Sequence, residues 1–327
     1  MYSFFNRPVT ALLFLIMFAS YCTVHADEPV TIVNDSYRIT FDLPPNRTIT
    51  MNQTPTEIML TLGLEKQMVG TAYIDDEILP LLGDAYQGIP VLAEKYPSKE
   101  IILNARPDFV YGGFLSAFSE KRGLPTRKEL QTIGIKSYVS PSSIFHKLTS
   151  QTPWSMDLLY QEIQDIGKIF RIEKKAGHLI DSIKNELSGI ASRHRRLENR
   201  PRVLWLDSFS DRGPMVGGGT GPPHAIISLA GGRNIFKDTS RSWANVSKEQ
   251  IISRPIDLIV LIEAVWSPSK TKIRELEKDP VFSRLEAVQR HRYVIINYSA
   301  STGGIRTIAA IKKLAGALAD LSADLQK

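Results

Sequence analysis

The chain lacks any hydrophobic run long enough to cross a membrane. Its apolar stretch at residues 11–19 is much shorter than the ~20 residues that a transmembrane helix needs. This stretch follows the basic Arg7 and precedes small residues at Val24 and Ala26, which is the order of a secretory signal peptide. We therefore predict a signal peptide over residues 1–26, cleavage after Ala26 and a periplasmic protein.

Cysteine is almost absent, because Cys22 is the only one among the 327 residues. Cleavage after Ala26 would remove it, and the mature chain would then have no disulfide, no thiolate metal site and no cysteine nucleophile. A lipid anchor on Cys22 is the alternative outcome, although Tyr21 stands where lipoprotein signals have a small residue.

A strong charge of one sign and the common catalytic motifs are missing too. The formal net charge of +6 is a mild excess without the basic stripe typical of nucleic-acid binders. The glycine-rich segment 217–221 is not followed by Lys-Ser/Thr, so it is not a phosphate-binding loop, and we expect a flexible loop there. There is no G-x-S-x-G elbow and no pair of histidines at metal-binding spacing. The residues thus predict no catalytic residue, no resident metal and no cofactor, and we expect that the chain is not an enzyme.

What the sequence does contain is a regular alternation of short apolar strands and helices. Removal of residues 1–26 leaves 301 residues, enough for two domains. In the first half, strands are predicted at residues 47–51, 68–72, 107–111 and 136–139. In the second half, they are predicted at residues 203–206, 257–262 and 293–297, before a closing helix over 305–325. Such alternation predicts parallel βαβ units in each half.

Between the two halves, apolar residues recur at helical spacing from residue 155 to about 195, with Gly167 and Gly177 as weak points. We predict one long linker helix over residues 154–198. The fold class is thus α/β, with two lobes of mainly parallel sheets joined by this linker. The predicted lobes are residues 27–153 and 199–327.

Six segments in this order resemble the periplasmic binding proteins of iron–siderophore and vitamin B12 ABC importers, the class in which a rigid helix joins two lobes. They are residues 47–73 (RTITMNQTPTEIMLTLGLEKQMVGTAY), 96–113 (YPSKEIILNARPDFVYGG), 130–139 (LQTIGIKSYV), 228–238 (SLAGGRNIFKD), 243–261 (WANVSKEQIISRPIDLIVL) and 303–318 (GGIRTIAAIKKLAGAL). Together they cover nearly the whole predicted mature chain. The resemblance implies a receptor that binds a small ligand between its lobes and delivers it to an ABC permease.

The loops at the carboxyl ends of the strands are expected to form the ligand site. These ends make the crevice of open α/β sheets, and a cleft between two domains is a common small-molecule site. From these loops and their flanks, we predict as ligand contacts Asn52, Gln53, Thr54, Tyr73, Tyr96, Arg212, Met215, Trp243, Tyr298 and Arg306. For each aromatic residue, packing in the core is the alternative role. Arg306 could instead hold the start of the last helix.

Glu100 and Glu249 occur in matching contexts, each in S-K-E followed by a helix, a proline and an aspartate before a strand. The resemblance implies that one surface glutamate of each lobe contacts arginines of the permease, and these two residues match those positions. Two separated carboxylates that meet two basic sites would fix the orientation of the complex. Each is also a first-turn helix acid favoured by the helix dipole, and both roles can hold together.

The cleft residues depart from the vitamin B12-binding pattern, because Glu94 and Gly113 stand where that protein has tryptophans and Met215 where it has a phenylalanine. Fewer aromatic walls favour a ferric siderophore over a corrinoid. The alternatives are a receptor for cobalamin, haem or a free metal ion and, in another class, a metal chelatase on the same two-lobed plan. We expect a monomer that has no nucleic-acid partner.

Overall fold

The computed structural model describes residues 28–147, 153–194 and 200–325. The predicted signal peptide lies outside these residues. Within them, each half of the chain forms its own sheet with helices around it, which confirms the predicted α/β class with two lobes.

The N-terminal lobe is built on short parallel strands. The strands of this half are β1 (Val30–Asn34), β2 (Tyr37–Phe41), β3 (Thr48–Met51), β4 (Met68–Ala72), β5 (Val91–Ala93), β6 (Phe109–Gly112) and β7 (Lys136–Val139). Its helices are α1 (Gln53–Thr61), α2 (Gly83–Gln87), α3 (Lys99–Asn104), α4 (Arg127–Thr132) and α5 (Pro141–Lys147). Strands β3 to β7 form one parallel sheet in the order β5-β4-β3-β6-β7. Strand β3 is therefore the central strand, β4 and β5 lie on one side of it and β6 and β7 on the other, and the carboxyl ends of all five strands lie at the same edge of the sheet.

A β1–β2 hairpin, which the sequence did not predict, covers the outer strand β7. Asn34 donates from Nδ2 to the Val139 carbonyl oxygen at 2.9 Å, and its Oδ1 accepts from the Val139 amide at 2.9 Å. Phe41 packs edge-to-face on Phe109, with ring centroids 5.6 Å apart. The hairpin thus satisfies backbone groups of a strand whose edge would otherwise be open to another chain.

The linker consists of two helices, whereas the sequence predicted a single helix over residues 154–198. These are α6 (Asp157–Ile169) and α7 (Glu173–His194). Arg171 between them has a left-handed backbone with φ 55°, and the Ile172 amide donates to the Gly167 carbonyl oxygen at 2.8 Å. These are the features of a Schellman helix end. Glycine is the usual residue at the left-handed position, and because Arg171 stands there instead, the helical pattern of the sequence continues through the break.

The C-terminal lobe carries a second, mixed sheet. Its strands are β8 (Arg202–Ser210), β9 (Gly213–Gly217), β10 (Arg233–Asn234), β11 (Trp243–Asn245), β12 (Leu258–Glu263) and β13 (Tyr293–Asn297). Its helices are α8 (Pro222–Leu229), α9 (Lys248–Ile252), α10 (Ser269–Lys278), α11 (Glu286–Gln289) and α12 (Thr307–Leu325). The main path of the sheet is β11-β9-β8-β12-β13, with β10 also paired to β8. Strands β8, β10, β12 and β13 pair in parallel, and β9 and β11 add an antiparallel edge.

Helix α6 packs on the N-terminal lobe, and α7 leads to the C-terminal lobe. Glu162 on α6 accepts hydrogen bonds from Tyr111 Oη at 2.5 Å and Ser140 Oγ at 2.8 Å. Asp165 accepts one from Tyr138 Oη at 2.9 Å. Helix α7 has 22 residues, which makes it about 33 Å long, and it contacts α8 and α12. The stiff connection between the lobes is therefore α7.

The lobes also touch each other directly. The Trp154 amide, at the start of the linker, donates to the Thr220 carbonyl oxygen at 2.8 Å. The Ser299 amide donates to Asp76 Oδ2 at 2.9 Å. One apolar cluster contains buried side chains from both lobes and both linker helices, among them Met59, Ile163, Ile183, Trp205 and Leu314. The two sheets thus hold a fixed relation, with their strand ends facing a shared cleft.

Candidate functional site

A cavity of about 260 Å³ lies between the lobes. Its walls are Asn52, Tyr73, Asp75, Tyr96, Phe114, Ser116, Arg122, Trp266 and Tyr298. A narrow neighbouring space of about 10 Å³ shares part of this wall and adds Gln53, Thr54, Gly113, Ser140, Ser299 and Thr302. In the N-terminal lobe the direction of strand addition reverses between β3 and β6, and open α/β sheets bind ligands at such a point. The cavity therefore lies where the topology favours a ligand.

The predicted ligand contacts divide into two groups. Asn52, Tyr73, Tyr96 and Tyr298 line the cavity, and Gln53 and Thr54 line the narrow space beside it. Their contact with a ligand stays a prediction. Arg212, Met215, Trp243 and Arg306 are not among the described residues of these walls.

Two non-glycine residues in the cavity wall have left-handed backbones. Asn52 at the end of β3 has φ 77°, and Tyr73 at the end of β4 has φ 57°. With ψ 166°, Asn52 lies in a region that is essentially confined to glycine, and positive φ is also unfavourable for a bulky tyrosine, so each residue costs on the order of 1–3 kcal/mol. The neighbouring strands hold both backbones, since the Asn52 amide donates to Ala72 at 2.9 Å and the Tyr73 amide to Ala93 at 3.4 Å. Functional sites often hold such strain, so the two adjacent strand ends favour a functional role for this edge.

Tyr96 and Tyr73 form an aromatic wall on the N-terminal side. Their rings meet edge-to-face at 4.7 Å, and Lys95 Nζ lies 4.7 Å from the centroid of the Tyr73 ring. The Tyr96 hydroxyl donates to Asn52 Oδ1 at 3.1 Å and lies 2.9 Å from Ser116 Oγ. Burial raises the pKa of Tyr96, so its phenol stays neutral at physiological pH. The wall thus offers a ring face and a hydroxyl held in place.

Tyr298 and Trp266 form the facing wall from the C-terminal lobe. Their rings meet edge-to-face at 4.7 Å. Trp266 is 57% exposed, so much of its indole can contact a ligand. Burial, with the negative charges of Asp75 and Asp207, raises the pKa of Tyr298 well above its ordinary value. An accessible indole beside a neutral tyrosine can stack on a flat or aromatic group.

Asp75 is the acidic group of the cavity wall, and it lines both the main cavity and the narrow space. Burial raises the pKa of Asp75 to about 6, the charge of Asp76 adds to this effect, and Lys95 opposes it. The carboxyl group is therefore mostly ionised at pH 7 and gains a proton in mildly acidic solution.

Gly113 shapes the wall by having no side chain. A Cβ at this position would lie 2.9 Å from Asn52 Cβ and 3.1 Å from Pro55 Cδ, which is closer than ordinary van der Waals contact. The side chain of Asn52 therefore occupies the room that a larger residue would need. An aromatic residue at position 113, as in the vitamin B12-binding pattern, is incompatible with this wall.

Arg306 is engaged inside the protein. Its Nε donates to Glu57 Oε2 at 2.7 Å, and its Nη2 donates to Glu57 Oε1 and to the Glu77 carbonyl oxygen. The two side chains are 9% and 1% exposed. Arg306 therefore joins α1 of the N-terminal lobe to the start of α12, which is the structural alternative that the sequence left open, and its guanidinium is not free to meet a ligand.

Arg212, Met215 and Trp243 lie at the antiparallel edge of the second sheet. Arg212 is exposed between β8 and β9. Met215 in β9 pairs with Asn245 of β11, and Trp243 in β11 pairs with Gly217 of β9. The sequence did not reveal that β9 and β11 extend the sheet, and the contact of Arg212, Met215 and Trp243 with a ligand stays a prediction.

The glycine-rich segment 217–221 is packed, whereas the sequence predicted a flexible loop. The Gly218 amide donates to the Ser242 carbonyl oxygen at 2.9 Å. A Cβ on Gly218 would lie 2.0 Å from the Arg241 carbonyl oxygen. Glycine is needed there because two backbone segments approach each other closely, not because the loop must move.

Glu100 and Glu249 occupy matching positions in the two lobes. Each lies in the first turn of a short helix, α3 or α9, whose N-cap serine accepts a backbone amide hydrogen bond. Both are exposed. Hydrogen bonds from Ser98 and from its own amide lower the pKa of Glu100, and those from its own amide and from Ser247 lower the pKa of Glu249. Both carboxylates therefore stay ionised and accessible at neutral pH.

Sequence reasoning missed Ser116 and Arg122 in the cavity wall. They lie in the single-turn helices Leu115–Phe118 and Glu120–Arg122, between β6 and α4. This long connection follows the carboxyl end of β6, and long connections in compact domains are commonly functional. The length of this connection was therefore the sequence feature that could have indicated these two residues.

Within the described residues, no three or more His, Cys, Asp or Glu side chains form a group that could hold a metal ion. None of the helices in that part of the chain is both long and apolar enough to span a bilayer. The cavity wall instead presents aromatic rings, hydroxyls, the Asp75 carboxylate and the Arg122 guanidinium.

Known proteins are similar to this chain in sequence and in fold. An uncharacterized ABC transporter substrate-binding lipoprotein of Bacillus subtilis is 23% identical over 290 residues, covering 88% of this chain and 84% of that protein. A solved periplasmic binding protein from Veillonella parvula has a TM-score of 0.77 and 26% identity, covering 88% of this chain and 97% of that chain. A solved structure named for an ABC-type Fe³⁺-hydroxamate transport system of Saccharomonospora viridis has a TM-score of 0.72 and 22% identity, covering 88% of this chain and 98% of that chain.

The family match includes both lobes and the linker between them. Residues 49–298 fit the profile of the periplasmic binding protein family, which is well over half of the chain. The chain therefore belongs to the periplasmic binding protein family, as a substrate-binding protein of the ABC importer class.

Proposed function

We propose that this protein is an exported receptor that binds a ferric siderophore or a similar metal chelate between its lobes and delivers it to the permease of an ABC importer. The cavity between the lobes carries the proposal, because both lobes supply aromatic residues to it: Tyr73, Tyr96, Phe114, Trp266 and Tyr298. Such walls suit a ligand whose metal is already enclosed by an organic chelator. A bare metal ion would instead need three or four converging ligands.

The shape of the cavity favours a chelate more compact than a corrinoid. Its volume of about 260 Å³ is close to the lower limit of ligand sites, which span about 300–1,000 Å³. The close contact of Gly113 with Asn52 also removes one aromatic wall of the vitamin B12-binding pattern. A siderophore larger than the cavity would project from its open side. The likeness to a structure named for Fe³⁺-hydroxamate transport supports the same ligand class.

Delivery to a permease is the second part of the proposal. Glu100 and Glu249 are exposed, ionised and similarly mounted on the two lobes. A permease with one basic site for each lobe would bind both glutamates at once, which fixes the orientation of the receptor. The residues of the permease that meet them would be arginines, which pair with carboxylates in a bidentate way.

A binding screen tests the ligand assignment. The mature chain is mixed with ferric siderophores, cobalamin, haem and free metal ions while tryptophan fluorescence is followed. Saturable quenching by a ferric siderophore, without chemical change of the ligand, is the expected result. The Trp266→Phe variant should lose most of the quenching, because Trp266 is the one indole in the described cavity wall. If the protein binds no chelate, or if it inserts metal into a porphyrin, the result contradicts the proposal.

A further inference from the structure

We propose that the cleft selects chelates without net negative charge, and that Asp75 is the residue that sets this preference. This inference rests on the proposed function, because it names the class of chelate that the receptor takes. Asp75 and Arg122 are the charged residues of the described cavity wall. The charge preference therefore depends on which of the two charges is less screened by water when a ligand is bound.

Asp75 is the more deeply placed of the two. It is partly buried and lines both the cavity and the narrow space beside it, whereas Arg122 is exposed and lines only the cavity. Water and salt screen an exposed charge at the rim far more than a charge in a low-dielectric wall. An anionic ligand in the cavity would thus meet a carboxylate whose charge is less screened than that of the guanidinium.

The arginines predicted as ligand contacts do not line the cavity. Arg306 is paired with Glu57. Arg212 and Arg241 are exposed and are outside the described lining of the cavity. The cleft therefore lacks, among its described residues, the cluster of guanidinium groups that a trianionic ferric tris-catecholate would need.

Asp75 has no structural task in the described contacts. Its neighbour Asp76 makes the interlobe hydrogen bond, accepting from the Ser299 amide at 2.9 Å. No hydrogen bond or ion pair of the Asp75 side chain occurs among the described residues, and Asp75 lines both the cavity and the narrow space beside it. A cationic or hydrogen-bond-donating chelate could supply the missing partner.

Other charged groups surround Asp75 and bear on its titration. Asp76 and Lys95 act on its pKa, the Arg122 guanidinium and the phenols of Tyr73, Tyr96 and Tyr298 share its cavity wall, and Asp207 acts on the pKa of Tyr298 beside it. Lys95 is exposed and lies over the Tyr73 ring, so it acts on Asp75 only through its charge. Burial keeps the pKa of Asp75 at about 6 in spite of Lys95. The preference should consequently weaken as the pH falls from 7.5 to 5.

A series of one chelate with three charges tests the proposal. Ferrioxamine B is a ferric trihydroxamate with a free amine and a charge of +1, its N-acetyl form is neutral, and its N-succinyl form has a charge of −1. At pH 7.5, we expect the amine form to bind about tenfold more tightly than the succinyl form, from the attraction and repulsion of one carboxylate. In Asp75→Asn, and in the wild type at pH 5, the two forms should bind within about twofold of each other.

Controls separate this effect from loss of fold and from general charge. Asp181→Asn removes one exposed carboxylate from α7, away from the cavity, and should keep the tenfold ratio. Thermal unfolding of Asp75→Asn shows whether the variant is folded, and its binding of the neutral form provides a second check. The Asp75→Asn effect should appear at low and at high salt, since the carboxylate is partly buried.

The outcomes are distinct. Equal affinities for the three forms in the wild type, or a ratio that Asp75→Asn leaves unchanged, overturn the charge proposal while the receptor role stands. Tight binding of haem, with its two anionic propionates, that Asp75→Asn leaves unchanged also overturns it. If no chelate of any charge binds, the proposed function itself fails, and the inference about Asp75 fails with it.

Discussion

Arg306 and Glu57 form a buried ion pair that joins the two lobes, with Arg306 Nε 2.7 Å from Glu57 Oε2. Removing one partner leaves the other charge buried without compensation, which costs about 3–5 kcal/mol. We therefore expect Arg306→Met to lower the free energy of unfolding by about this amount in urea denaturation at pH 7.

An exposed ion pair in the same lobe provides the control. Arg290 and Glu286 are 65% and 59% exposed, so Arg290→Met should change stability by about 1 kcal/mol or less. The double variant Glu57→Met with Arg306→Met should recover much of the lost stability, because no charge is left unpaired. Equal effects of Arg306→Met and Arg290→Met would contradict a special role for the buried pair.

The buried carboxyl group of Glu162 predicts a pH-dependent stability. Burial raises its pKa from 4.5 to about 7, so the folded state binds this proton more tightly than the unfolded state. The stabilisation of the folded state by this bound proton is complete below pH 4.5 and is lost as the pH rises through 7. The loss amounts to about 3 kcal/mol, an order-of-magnitude figure from the size of the shift.

Urea denaturation of the wild type and Glu162→Gln from pH 4.5 to 8 measures this effect. Glutamine keeps a neutral group that Tyr111 and Ser140 can still contact. The stability of the variant relative to the wild type should rise by about 3 kcal/mol over this range. Glu173→Gln, at an exposed position on α7, should show no such change. A constant difference between Glu162→Gln and the wild type would show that Glu162 does not titrate as described.

Substitution of Glu100 and Glu249 separates binding from delivery. The double variant Glu100→Ala with Glu249→Ala should bind the chelate with unchanged affinity, because both residues are exposed outside the cavity. Its uptake in cells or in vesicles with the permease should fall to background, since the two charge contacts are lost together.

Glu173→Ala is the matched control, because Glu173 is also an exposed first-turn helix acid. It should transport at the wild-type rate. Normal uptake by the double variant would show that the two glutamates are helix-end acids only.

The state of the N-terminus decides between the two predicted forms of export. Cleavage after Ala26 gives a mature protein that begins at Asp27 and dissolves without detergent. Lipidation of Cys22 gives a membrane-bound protein with a larger mass. Mass spectrometry of protein isolated from cell fractions distinguishes the two, and we expect the first. A Cys22→Ala variant should leave the mature mass unchanged in that case.

Much of the fold follows from local patterns in the sequence. The strand predicted at residues 68–72 is β4 within its bounds, and the strand predicted at 293–297 is β13. Buried parallel strands give continuous apolar runs that stand out against the helices, which explains these successes. Strand β9 was missed because its sequence, GPMVG, contains glycine and proline, which are depleted in strands, and β11 was missed because it has only three residues.

Backbone conformation explains the main errors near the site. Asn52 has a positive φ at the N-cap position of α1, which the local sequence does not indicate. Arg171 likewise ends α6 without the glycine that would have signalled it. Non-glycine residues with positive φ are stabilised by tertiary contacts, so a single sequence does not reveal them.

Long-range contacts set the rest of the site. Arg306 meets Glu57 from 249 positions away, and no local pattern indicates that an arginine before the last helix is engaged in the core. Asp75 and Asp76 are adjacent in sequence, yet one faces the cavity and the other bonds Ser299. Which of two neighbouring acids is open to a ligand depends on the position of the second lobe.

Any side chain at position 113 would compete for space with the side chain of Asn52. A ring at position 113 would have to displace Asn52, the N-cap residue of α1. A relative with an aromatic residue there must hold the turn after β3 in another way. The range of ligands that this wall accepts therefore changes when residues 113 and 52 are substituted together. A directed-evolution library with one substitution per gene would not contain such double variants.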